Sequence, residues 1–248
     1  MFLFYVNPIL IAAAVIPAIV LLRFVYREDR LDKESPGMLL SLVLFGILAT
    51  FGALIAERIG ESVLALLVPP YTRAYNAVLY FVVVALSEEG FKYLLLKKRT
   101  WWSREFNCQF DGVVYAVFVS LGFALWENIS YVVMYGLGTA LVRAVTAIPG
   151  HACFGAFMGA FYGLAKRYDN FGDEYRSRRC RRLAVAVPVV LHGCYDYIAT
   201  YEYDGYAWIF VGFVVLLFAA AYRMIKRLAR DDRFIDGDDY NYYNGPEL

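Results

Sequence analysis

The stretch GMLLSLVLFGILATFGALIA, residues 37–56, runs for twenty residues without an Asp, Glu, Lys or Arg. At about 1.5 Å per residue, a helix of that length crosses a bilayer hydrocarbon core of about 30 Å. Residues 1–22 and 144–165 are equally free of these charges. The chain is 60% hydrophobic and 18% aromatic, which leaves too little polar surface to coat a soluble domain of 248 residues. The reading is an all-α, polytopic integral membrane protein, with the lipid bilayer as its surroundings. A net charge of +1 provides no general attraction for nucleic acid, so none is expected as a partner. Cys108, Cys153, Cys180 and Cys194 form no CxxC pair and read as isolated thiols.

Working outward, hydrophobic runs predict about seven spans, at roughly 3–25, 37–57, 76–96, 110–135, 144–165, 183–201 and 206–224. An eighth helix, re-entrant or interfacial, is expected near 61–73, where Pro69 and Pro70 interrupt a short apolar segment. Alternate connections are rich in Lys and Arg: Arg27, Arg30 and Lys33 in the first, Lys97, Lys98, Arg99 and Arg104 in the third, and a run from Lys166 to Arg182 in the fifth. The end of the last span is basic too. Basic loops stay on the cytoplasmic side, so the N-terminus is expected outside and the C-terminus in the cytoplasm. Residues 1–229 read as one membrane domain, and 230–248 as an acidic, flexible cytosolic tail.

Few ionisable residues lie inside these spans. Glu88, Glu89 and Lys92 fall on the third, Asp111 and Glu127 on the fourth, His151 on the fifth, and His192 and Asp196 on the sixth. The chain has no other histidine. Each carboxylate at mid-bilayer costs about 2.5–3.5 kcal/mol to insert, so adjacent glutamates need pairing, a bound cation or a wet cavity. Glu88 and Lys92 are i and i+4 and share a helix face. Glu89 points about 100° away, so Lys92 is expected to pair with one glutamate and leave the other for chemistry. His192 and Asp196 share the same i, i+4 spacing, and the carboxylate can fix the histidine tautomer. Glu127 comes out deepest from the cytosolic side and joins a common cavity least easily. A structural reading also exists for several of these groups. The Glu–Lys pair could clasp two helices, His151 could be an interhelical hydrogen-bond partner, and Asp111 could start a helix. Gly155, Gly159 and Gly163 form a stripe suited to close helix packing.

Four motifs now stand in order: SEEGFK as an EExxK motif, GFALWENISY with FxxxE ending at Glu127, PGHACFGAFMGAFYG around His151, and LHGCYDY as HxxxD from His192 to Asp196. Together they resemble the PrsW family of intramembrane proteases, part of a larger group with CAAX prenyl endopeptidases and bacteriocin-processing membrane proteins. The motif region covers residues 87–197. The resemblance implies a helical membrane enzyme that cleaves peptide bonds of membrane-anchored proteins, with regulated cleavage of an anti-sigma factor as the family analogy. Glu127 stands where the CAAX branch has histidine, and Asp196 where that branch often has asparagine. Both differences favour the PrsW branch.

Peptide hydrolysis needs an activated water, an electrophile for the carbonyl oxygen and an acid for the leaving amine. Glu127, His151 and His192 together could hold Zn²⁺ with an open position for water. Glu88 or Glu89 would be the general base, with Lys92 pairing one of them, and Asp196 orienting His192. A metal-free version uses a glutamate-activated water, with histidine and Asn128 side chains on the oxyanion. Two other classes fit less of the pattern: a cation or proton transporter, which would show an inverted repeat, and a non-catalytic membrane scaffold.

Overall fold

The computed structural model describes residues 8–200 and 206–237. Nine α-helices make up the described fold: α1 (Pro8–Glu28), α2 (Pro36–Leu67), α3 (Arg73–Val78), α4 (Ala85–Thr100), α5 (Asp111–Tyr135), α6 (Leu137–Val145), α7 (Ala147–Asn170), α8 (Glu174–Ala199) and α9 (Tyr206–Arg230). A π-helical segment, Leu79–Val84, joins α3 to α4. Among the described residues the sole β feature is a bridge between Cys108 and Phe234.

Among the described residues, four stretches are long and apolar enough to cross a membrane: Pro36–Leu67, Asp111–Tyr135, Leu137–Asn170 and Tyr206–Arg230. The expected spans at 3–25, 76–96 and 183–201 correspond to α1, to α3–α4 and to α8. Of these, α4 has two glutamates and a lysine near its start, and α8 opens on arginines. Residues 3–7 of the first expected span lie outside the described residues.

The separate helix expected near 61–73 does not form. Residues 61–67 are the last two turns of α2, because nothing between Ala56 and Leu67 breaks the helix. Pro69 and Pro70 follow its end, where they cost nothing, and Thr72 caps α3 by accepting from the Tyr75 amide. At its other end α2 starts on Ser35, whose hydroxyl accepts from Met38 N at 3.1 Å, with Pro36 in the first turn.

The centre of the bundle is α5. Every residue from Asp111 to Ala124 is buried, against α7 on one side and α2 on another. The glycine stripe explains the closeness to α7. A Cβ on Gly159 would lie 2.4 Å from the Gly112 carbonyl oxygen and 2.4 Å from Val113 Cα, and one on Gly163 would lie 2.0 Å from the Gln109 carbonyl oxygen. Backbone rather than a movable side chain is in the way. Gly159→Leu is therefore expected to destabilise by about 3 kcal/mol or more, read as a lowered Tm in detergent.

The stretch 231–237, expected to be mobile tail, packs back onto the loop before α5. Gln109 N donates to Arg233 O at 2.9 Å, Ile235 N to Asn107 O at 2.8 Å, and Phe110 N to Asp232 Oδ1 at 2.8 Å. Ile235 is buried among the core residues, which supplies the apolar anchor that composition obscured. The acidic stretch 238–248 lies outside the described residues.

Acidic groups gather beside this fold-back. Asp29 and Glu34, between α1 and α2, are both buried. Burial, with Asp232 and Asp32 nearby and Lys33 opposing, pushes the Asp29 carboxyl up to about 6. Burial, with Asp29 and Glu105 nearby, pushes Glu34 up to about 8. A carboxyl raised in the folded state holds its proton longer folded than unfolded. Its contribution is complete below the unfolded value and is lost as pH rises through the folded one. The protein is expected to lose thermal stability between pH 5 and 8, and Glu34→Gln should flatten that slope; a pH series of melting curves on both proteins measures it.

Candidate active site

Four helices deliver the ionisable residues to one place. The site end of α4 carries Glu88, Glu89 and Lys92 in its first two turns. Glu127 lies eight residues before the end of α5, and His151 sits in the second turn of α7. Neighbouring α5 and α7 run in opposite directions, so these two depths coincide. His151 Nε2 and Glu127 Oε2 are 2.9 Å apart, which settles how the deepest carboxylate joins the group. The end of α8 brings His192 and Asp196.

Lys92 lies at the centre. Its ammonium donates to Glu88 Oε2 at 3.1 Å and to Glu89 Oε1 at 2.7 Å, and it lies 3.0 Å from His151 Nδ1. The expectation that one glutamate would stay unpaired fails. Positions i+3 and i+4 both lie within reach of a four-carbon stem, so one lysine bridges both carboxylates. The Phe123 ring covers the ammonium from another side, 4.1 Å from Nζ to the ring centroid. With Nζ as donor, His151 Nδ1 accepts and Nε2–H donates to Glu127.

The two glutamates differ in what they face. Glu88 lines a cavity of about 430 Å³, together with Glu127, His151, His192 and Asp196. Glu89 is 0% exposed and does not line it. Its Oε1 receives both Lys92 and, at 3.0 Å, His192 Nδ1. On the other side of that ring, His192 Nε2 lies 3.4 Å from Asp196 Oδ2. A carboxylate at each ring nitrogen suits a ring with a donor at both ends. Phe154 stacks on the ring at 4.8 Å and 18°, holding its plane.

Two members of this site were missed from sequence. Arg143 on α6 pairs through Nη2 with Glu127 Oε1 at 2.9 Å, donates from Nε to Asn128 Oδ1 at 3.1 Å, and stacks on Tyr131. The chain turns back between α5 and α6 at Gly136, with φ 81° and ψ −166°, a region open essentially to glycine alone. That turn returns Arg143 to the cavity. A signal was present: Arg143 is the sole Asp, Glu, Lys or Arg between Glu127 and Lys166. Glu57, about two thirds of the way along α2, also lines the cavity. It closes the apolar run of that span and read as its boundary.

Asn128 is placed elsewhere than the metal-free scheme expects. Its Nδ2 donates to Ala14 O on α1 at 3.3 Å, its Oδ1 is taken by Arg143, and it does not line the cavity. One residue beyond Glu127 is a 100° rotation, which turns it from the cavity to α1. It clasps helices and positions Arg143.

Among the described residues, those whose ligand atoms converge for a metal are Glu88, Glu89 and His151, with these atoms all within 4.8 Å of one another. This differs from the expected trio. Both oxygens of Glu127 are engaged by Arg143 and His151, and His192 lies between two carboxylates. Two carboxylates and one histidine fit a divalent ion such as Zn²⁺ in type and number. The same three residues surround the Lys92 ammonium, so ion and ammonium compete for one position.

Fold and site together define a membrane protein that keeps a cluster of paired ionisable side chains inside a bundle of helices. The chain belongs to the PrsW family: the profile described as PrsW family intramembrane metalloprotease matches residues 34–222. It is therefore an intramembrane protease. It is 33% identical over 222 residues to Protease PrsW of Geobacillus kaustophilus, covering 88% of this chain and 91% of that one. It is 30% identical over 226 residues to Protease PrsW of Halalkalibacterium halodurans, covering 90% and 99%. It is 29% identical over 218 residues to that of Bacillus subtilis, covering 88% and 94%. No solved structure is significantly similar.

Proposed function

We propose that the protein hydrolyses peptide bonds of membrane-anchored proteins with Glu88 as the general base. The observation that carries this is the inequality of the glutamates: Glu88 meets the cavity, while Glu89 is buried behind it, held by Lys92 and by Nδ1 of His192. A water in the cavity gives its proton to Glu88 as the oxygen attacks the scissile carbonyl. His192, which lines the cavity, supplies a positive hydrogen-bond donor for the oxyanion, and Lys92 holds the two glutamates and His151 in place behind it. Glu88 then passes the proton to the leaving nitrogen, whose bond to carbon breaks. Glu127, held by Arg143, orients His151, and Asp196 orients His192.

A divalent ion on Glu88, Glu89 and His151 would polarise the carbonyl and acidify its bound water. Zn²⁺ is the ion whose usual donors match this set best.

Seven spans, with the N-terminus outside and the C-terminus cytoplasmic, agree with the basic ends of the helices. In that orientation Glu57, Arg58, Tyr80 and Arg143 put the cavity mouth on the outer side. A substrate with one span and a short outer segment fits such a mouth. Anti-sigma-type regulated proteolysis is the family analogy for its role.

The test is co-reconstitution with single-span substrates in proteoliposomes, with product mass spectrometry and cation flux on the same vesicles. Cleavage near the outer membrane boundary without flux is the expected outcome. Flux without cleavage would transfer the site to a transporter.

A further inference from the structure

A second groove runs along the outside of the bundle, between α4 and α8, with a volume of about 730 Å³. The two helices are antiparallel here: Glu89 meets His192 at one end, and Trp101 meets Arg181 at the other. The walls are unequal along their length. Lys97, Arg178, Arg181 and Arg182 line the Trp101 end. Leu86, Val185, Val189 and Val190 line the rest. Leu86 and Val190 are 47% and 53% exposed, so this part is open to surrounding lipid.

Length and charge identify the occupant. From Lys97 to Leu86 is eleven residues of helix, about 16 Å. One leaflet of a hydrocarbon core is about 15 Å deep. Trp102, 83% exposed beside the basic end, is the residue type that sits at the lipid–water boundary. Glu174 pairs with Arg178 at 3.2 Å and with Arg181 at 2.9 Å. Four cations against that one carboxylate leave the end strongly positive.

We propose that this groove is a binding site for an anionic phospholipid. Its phosphate sits among Lys97, Arg178, Arg181 and Arg182, and one acyl chain lies along Val185, Val189, Val190 and Leu86. Basic pockets between helices at a membrane face select anionic headgroups. The lipid would lie against the two helices that carry Glu88, Glu89 and His192, and so would bear on the 3.0 Å contact between Glu89 and His192. The site stands whether or not the cavity is proteolytic, since its test reads binding.

The experiment uses the full chain in mild detergent, titrated with phosphatidylglycerol, phosphatidylcholine or inorganic phosphate, and read by native mass spectrometry and Tm. Phosphatidylglycerol is expected to bind at one per chain, about tenfold or more tighter than phosphatidylcholine. The double variant Lys97→Gln/Arg182→Gln should lose that preference. Ala186→Trp, which fills the apolar part without touching charge, should lower retention of phosphatidylglycerol on its own and decides the matter if the double variant does not fold. Equal affinity for the two lipids would overturn the proposal, as would a preference surviving in both variants. So would an equal Tm rise with inorganic phosphate, which would mark an ion site without a lipid groove.

Discussion

Replacing Glu88 with Gln is expected to lower kcat by about 10²–10⁴-fold, the range for a lost general base, with Tm close to the parent. Its carboxylate meets the cavity, where water can solvate the amide that replaces it. Glu89→Gln should behave differently. Glu89 is fully buried and its Oε1 holds both Lys92 and His192. Removing that charge leaves the ammonium short of its nearest counterion in a site closed to water. Breaking such a pair costs about 3–5 kcal/mol, so this variant should lose Tm as well as activity. Activity and melting temperature measured side by side separate the two roles. A stable, inactive Glu89→Gln beside an active Glu88→Gln would reverse the assignment.

The second large effect concerns Lys92. Lys92→Met leaves two carboxylates and His151 Nδ1 facing a position that no cation fills, at a cost of about 3–5 kcal/mol without metal. The same change removes the competitor for that position. Zn²⁺ should therefore raise the Tm of Lys92→Met more than that of the parent, and metal analysis should find about one equivalent held by the variant. Lys92→Arg, which keeps the charge, should retain fold and show no such gain. If Zn²⁺ moves neither protein, the three donor atoms are a site for the ammonium alone. The experiment needs no substrate, so its answer does not depend on finding one.

Much of the molecule was legible in its residues because the signals are local. An uncharged run of twenty residues has one low-cost environment, whatever its neighbours are. Carboxylates and histidines inside such runs are expensive, so Glu88, Glu89, Glu127, His151, His192 and Asp196 stood out before any helix was placed. The glycine stripe on α7 announced a close neighbour, though not that the neighbour was α5.

What the sequence by itself determined is the all-helical membrane class, its main apolar helices and the set of polar residues that had to meet. Tertiary structure alone decided how they meet. Each residue along a helix turns the side chain by about 100°, so neighbours such as Glu88 and Glu89, or Glu127 and Asn128, end on different faces. Which face lies toward a cavity, toward α1 or toward a lysine depends on how four helices are rotated against one another. Arg143 reaches the site because the chain can reverse at Gly136. Phe234 and Ile235 leave the expected tail because the loop before α5 offers open backbone groups and an apolar seat. These outcomes depend on contacts between residues far apart in the chain, and a local pattern carries no record of them.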